Sequence, residues 1–273
     1  MLRTLFTEEI RTQTPRSAAS VGVALIVFLA SLGLWRMLES VSVIAFLLQL
    51  ASLAAAVAIP IIVGALAVTE YWQSMYGSRG YLTMSIPVRG RTIFAAKTIY
   101  AYLAVLVACL LFAACLLAWF GMLAHSNGWS VGEVLEPFKL WWQNASTTLR
   151  VFWIASIPLS LAVTVAQLAA VMSVGAREPW NSLGFGAPLI GLVILYVVNQ
   201  IVGLVGMLFI PISLDLTTFE FTTRIMWSQF LEAVRTGSDP TLVGLGTFFL
   251  GPLLAAVMGW WAVRSIERHT SLR

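Results

Sequence analysis

Residues 40–69 read SVSVIAFLLQLASLAAAVAIPIIVGALAVT, without one Asp, Glu, Lys or Arg. A helix rising about 1.5 Å per residue crosses a bilayer with about 20 mostly apolar residues, so this stretch spans once. Five more charge-free stretches flank it, at 17–35, 98–132, 151–176, 179–214 and 240–263. None is long enough for two spans and a turn, which predicts six spans in all. Unpaired backbone amides cost several kcal/mol in hydrocarbon, and these stretches lack the alternating polar face of a barrel strand. The expected fold is therefore all-α, a polytopic membrane protein forming one transmembrane domain over 1–273. Its spans are placed at 17–35, 43–69, 98–123, 151–175, 187–212 and 241–263.

Composition points the same way. With 59% hydrophobic and only 10% charged residues, the chain has too little charge to cover the surface of a water-soluble globule. Cys109 and Cys115 stand six residues apart on one helix, on different faces, and are expected as buried free thiols. The two histidines, His125 and His269, are far apart in the chain, so no metal site is expected.

Orientation follows from the basic residues. With both termini cytoplasmic, the inner side holds Arg3, Arg11, Arg16, Arg79, Arg89, Arg91, Lys97, Arg177, Arg264, Arg268 and Arg273. The outer side holds Arg36, Lys139, Arg150, Arg224 and Arg235, a bias of the sign the positive-inside rule requires. The basic pI of about 9.4 is then explained by topology and by contact with anionic membrane lipid, without nucleic acid. Leu2, Leu5, Phe6 and Ile10 recur at helical spacing among charged residues, predicting an amphipathic surface helix over 1–16 that turns into the first span at Pro15. Glu8 and Glu9 are out of place in a signal peptide, so the first span is expected to be retained.

Most of the eleven tryptophans, Trp35 and Trp119 among them, fall near the ends of the charge-free stretches and read as interfacial anchors. Pro60, Pro158, Pro188, Pro211 and Pro252 each remove a backbone donor and are expected to kink their helices. Ala51, Ala54, Ala55 and Ala58, with Ala101, Ala104 and Ala108, offer small-residue stripes for close helix contact. The outer segment 133–150 has near-helical apolar spacing. In 213–239 the chain first alternates and then turns helical, the pattern of a partly re-entrant cap.

The polar residues inside the spans are few: Gln49, Thr164, Gln167, Asn199 and Gln200. Gln167, Asn199 and Gln200 are the candidates for lining a substrate path, and amides at such positions equally serve as interhelical glue. The absence of mid-span charge favours an apolar or amphipathic cargo such as a peptide, drug or lipid over an ion. No P-loop, His-Glu-x-x-His motif or Ser/His pairing within the spans occurs, so the chain is expected to catalyse nothing and to bind no nucleotide itself.

Between the second and third spans runs a cytoplasmic loop, 70–97, with Arg79-Gly80-Tyr81-Leu82-Thr83, Ile86-Pro87-Val88, Arg89, Arg91 and Lys97. This pattern resembles the cytoplasmic loop of ABC-2 type transporter permeases: Gly-Tyr-Leu, a hydroxyl residue, a Leu-Pro pair and a later Lys, with Ile86 here in place of the usual Leu. The resemblance extends to the six spans, the N-terminal surface helix and the cytoplasmic termini. It implies a permease subunit of an ATP-driven exporter in a bacterial plasma membrane, paired with a second copy or a homologous permease. The partner would be a separate ABC ATP-binding subunit carrying the ATP and Mg. In that family the loop is a coupling helix seated in a groove of the ATPase, which assigns partner contact to Arg79, Gly80, Tyr81, Leu82, Thr83, Pro87, Arg91 and Lys97. A smaller contact comes from the next inner loop, here Gly175-Ala176-Arg177-Glu178-Pro179-Trp180-Asn181, with Arg177 and Glu178 at its centre. The alternative is a channel or substrate-binding membrane module that works without an ATPase.

Overall fold

The computed structural model describes residues 1–178 and 180–268; Pro179, His269, Arg273 and the side chain of Asn181, named above, lie outside the described residues. In chain order the elements are α1 (Leu2–Met37), α2 (Ser42–Met75), α3 (Gly80–Met84), α4 (Gly90–Ser126), α5 (Val131–Val134), α6 (Glu136–Asn144) and α7 (Thr147–Gly175). A 3-10 turn at Trp180–Leu183 leads into α8 (Gly186–Phe209), β1 (Ser213–Asp215), β2 (Phe221–Thr222), α9 (Trp227–Thr236), β3 (Leu242–Gly244) and α10 (Thr247–Arg268). Helices α1, α2, α4, α7, α8 and α10 are long and apolar enough to cross a membrane, so the chain is a multi-pass membrane protein by length and composition.

Four features depart from the sequence expectation. The N-terminal segment is not a separate helix; α1 continues through Pro15. Proline withdraws one donor there, but the helix is pinned on both sides of it, by Glu9 to Lys97 before and Arg16 to Glu70 after. Helix α4 starts at Gly90 instead of 98, adding two turns to the expected span. Three short strands replace part of the all-α expectation, and α10 starts at Thr247, because 242–244 is taken up as β3. Finally, Pro188 sits in the first turn of α8, where its missing N–H costs nothing, and Pro211 lies just beyond the end of α8; of the five prolines expected to kink a helix, Pro60, Pro158 and Pro252 lie deeper inside one, as does Pro15.

The chain divides into two compact units: Met1–Val88 with Ala95–Gln143, and Arg89–Phe94 with the described residues from Asn144 on. In the first unit, Ala24 and Phe28 of α1, Ala55, Ala56, Ile59 and Val63 of α2, and Ala108 and Cys115 of α4 form the core. Small side chains at these crossings let the backbones approach and gain dispersion contacts that lipid tails do not offer. The buried line on α2 is Ser52, Ala55, Ala56, Ile59 and Val63, whereas Ala51 and Ala54 are exposed, so the expected stripe is rotated from its predicted face. Trp35 is also inside: its ring lies 6.2 Å from that of Trp119, whose indole N–H donates to the Gln49 carbonyl at 3.3 Å. Both cysteines are free.

After α4, Ser130 and Glu133 form a reciprocal cap on α5: the Ser130 hydroxyl accepts from the Glu133 N–H, and the Glu133 carboxylate accepts from the Ser130 N–H at 2.6 Å. The Ser130 N–H first, and the Ser130 hydroxyl with it, hold the Glu133 carboxyl below the ordinary carboxylate range.

In the second unit, α7 packs on both α8 and α10, and the Ser265 hydroxyl donates to the Ser173 carbonyl near the C-terminal ends of α7 and α10. At the opposite end of α7, the strands form an antiparallel sheet in the order β2-β1-β3, registered by Leu214 opposite Phe221 and opposite Val243. Leu149 and Phe152 of α7, Leu214 of β1, and Leu245 and Phe248 at the entry to α10 bury one face of this sheet. Gly244 is obligatory there, since a Cβ would fall 1.7 Å from the Met207 carbonyl oxygen on α8.

Candidate functional site: the segment between α2 and α4

The polar end of α2 does not stop with the charge-free stretch but runs on to Met75, carrying Glu70 and Ser74. The chain then turns sharply: the N–H groups of Tyr76 and Gly77 both donate to the Trp72 carbonyl, and the Arg79 N–H donates to that of Gln73. A Cβ at Gly77 would sit 2.9 Å from the Gln73 Cα, so only glycine fits the turn without a shift. Helix α3 follows at once, and Pro87 is the centre of a three-residue turn closed by the Val88 N–H on the Ile86 carbonyl at 2.7 Å. Proline suits that position because its φ is preset and its N–H is not needed.

The residues of this segment sort into two sets. Tyr81 and Leu82 point outward, 75% and 67% exposed, and Ile86, Pro87 and Arg91 are exposed as well. Gly80, the first residue of α3, is buried, and Thr83 donates its hydroxyl to the Ser74 carbonyl at 2.6 Å. Arg79, although half-exposed, reaches back to Glu70 at 2.5 Å. Lys97 is the clearest correction: it was expected on the partner surface, yet it is only 6% exposed, paired with Glu9 and donating to the Ser74 hydroxyl at 2.8 Å. The early start of α4 places Lys97 two turns inside a helix, which aims its ammonium at α1 and α2.

Sequence reading missed Glu9, Arg16 and Glu70. Arg16 Nη1 lies 2.5 Å from Glu70 Oε1, on the oxygen that Arg79 does not use. Glu70 is only 7% exposed, and the two arginines pair one with each of its oxygens, which offsets part of its desolvation. The signal was present: Glu9 and Arg16 precede one charge-free stretch, Glu70 follows the next and Lys97 precedes a third, so opposite charges meet at one level of the first unit.

In the second unit the first turn of α4 rests on the last turn of α10. A Cβ at Gly90 would meet Glu267 and Ile266 at 2.8 Å, and the Arg91 N–H donates to Glu267 Oε1 at 3.4 Å. Arg177, half-buried, and Glu178, exposed, follow α7. Gln167 and Asn199 are brought together: each amide nitrogen donates to the other's oxygen, at 3.3 and 2.9 Å, with Gln167 4% exposed. Gln200 is not part of this pair and is exposed on α8. No family model, no curated protein and no solved structure matches the chain.

Proposed function

We propose that the chain is the transmembrane permease subunit of an ABC-2 type exporter, with cytoplasmic termini, working beside a second permease and two copies of a separate ATP-binding subunit. The observation that carries this reading is α3: a five-residue helix with Tyr81 and Leu82 outward and its other motif residues anchored inward, a shape suited to insertion into a partner's groove. ATP and Mg belong to the partner. Nucleotide binding draws the ATPases together, α3 follows as a rigid knob, and the spans alternate their opening between the two sides. The cargo is apolar or amphipathic.

The test is copurification from the native host, with ATP hydrolysis measured on the isolated complex. A buried aromatic anchor typically contributes about 2 kcal/mol, so Tyr81→Ala is expected to weaken retention of the ATPase roughly thirtyfold while the chain still inserts. Arg91→Ala, at the exposed rim, is expected to cost under about 1 kcal/mol. Full retention and full substrate-stimulated hydrolysis in Tyr81→Ala would overturn the reading in favour of a module that needs no ATPase.

A further inference from the structure

Two polar chains start at α3, one from its N-cap Arg79 and one from Thr83, and both end on α1. The first runs from Arg79 through the Glu70 carboxylate, one oxygen to each arginine, to Arg16. The second runs from the Thr83 hydroxyl to the Ser74 carbonyl, and from the Ser74 hydroxyl through the Lys97 ammonium to Glu9. Glu70 and Lys97, the central member of each, are buried; the Lys97–Glu9 pair is shielded from water on both sides, whereas Arg16 and Arg79 reach buried Glu70 from exposed positions and their pairs are partly screened. The Thr14 and Tyr100 hydroxyls meet at 3.3 Å, a further polar tie between α1 and α4.

We propose that α3 and the N-terminal half of α1 form one mechanical body, locked through Glu70 and Lys97, so that whatever displaces α3 displaces α1 by the same movement. Glu70 and Lys97 are then positioning residues. Resting on the permease reading, this makes α1 the helix that receives the ATPase's stroke, ahead of the spans of the second unit. The chemistry suits the task. A carboxylate shared by two guanidinium groups on different elements resists rotation of either, whereas an apolar contact would let one slide over the other. The lock also explains why Arg79, Thr83 and Lys97 turn inward while Tyr81 and Leu82 are left free.

Spin labels at Ser85 and Arg3, both exposed positions of the first unit, read the lock directly in the full chain reconstituted in lipid nanodiscs. The expected distance distribution is one narrow peak, unchanged when the ATP-binding subunit and nucleotide are added. Glu70→Gln with Lys97→Met is expected to lose that single peak while the labels at both sites remain attached. A broad or split distribution in the otherwise unmodified chain overturns the proposal, as does a shift of the peak on adding the ATPase or a double variant as narrow as its parent. Should the double variant fail to fold, the parent's distribution decides alone. An ATPase that does not bind the unmodified chain overturns the permease reading instead, and the distance without ATPase still decides whether α3 and α1 are locked.

Discussion

Gln167 and Asn199 illustrate what a single pair of amides does inside a helix bundle. Each satisfies the other across α7 and α8, so neither is left to face hydrocarbon with an unmade hydrogen bond. Sequence alone left these residues open between substrate path and interhelical glue; the reciprocal pairing favours glue for Gln167 and Asn199, while exposed Gln200 makes no part of it. Gln167→Leu is therefore expected to lower stability by about 0.6 to 2 kcal/mol, since it strands the Asn199 amide. Adding Asn199→Leu should recover most of that loss, because replacing both partners removes the stranded group. A double-mutant cycle measured by unfolding in bicelles checks this, and strictly additive losses would show that the pair is not coupled.

Elements were legible in the sequence wherever hydrophobic length alone decided them, and less so where one chain segment packs on another. The six charge-free stretches gave the long helices because charge is excluded from hydrocarbon whatever the neighbours do. The start of α4 was misplaced because the boundary was set at Lys97, the last charge before the stretch, and a charged residue inside a helix is invisible to that rule when a partner such as Glu9 neutralises it. The strand β3 was absorbed into the expected last span because Leu242, Val243 and Leu245 are as apolar as any span residue. What makes them irregular is tertiary: the chain passes so close over α8 that only glycine fits at 244 and 246, a Cβ at Gly246 falling 2.1 Å from the Gly206 carbonyl oxygen. Gly244→Ala is accordingly expected to destabilise by about 3 kcal/mol or more, beyond ordinary overpacking, because the obstacle is a backbone carbonyl that cannot rotate away. Gly251→Ala, whose Cβ would meet only the Val163 side chain at 3.8 Å, is the control expected to be tolerated. Thermal unfolding in detergent compares them, and equal stability of the two variants would contradict the close crossing.

At the scale of the whole molecule, the spans and the side assignment rest on different physics and are tested separately. Six crossings follow from length and apolarity, while orientation rests on the eleven-to-five division of basic residues. The interior pairing refines how those charges act. Lys97, Arg16 and Arg79 spend their charge on Glu9 and Glu70, so part of the inner-side excess is neutralised in the folded chain. The positive-inside rule counts residues rather than pairs, so the expected orientation is unchanged. Cysteines placed at Ser85, Asn144 and Ser238 report on it, each position being exposed. With cytoplasmic termini, Asn144→Cys and Ser238→Cys are expected to react with an impermeant maleimide in intact cells, and Ser85→Cys only after the membrane is permeabilised. The two native thiols, half-buried Cys109 and buried Cys115, lie within a span and give a low background that Cys109→Ser and Cys115→Ala remove. Labelling of Ser85→Cys in intact cells would reverse the orientation, and it would put α3 on the side away from ATP. An ATPase partner would then be impossible for reasons of topology, however well Tyr81 and Leu82 are shaped to fit one.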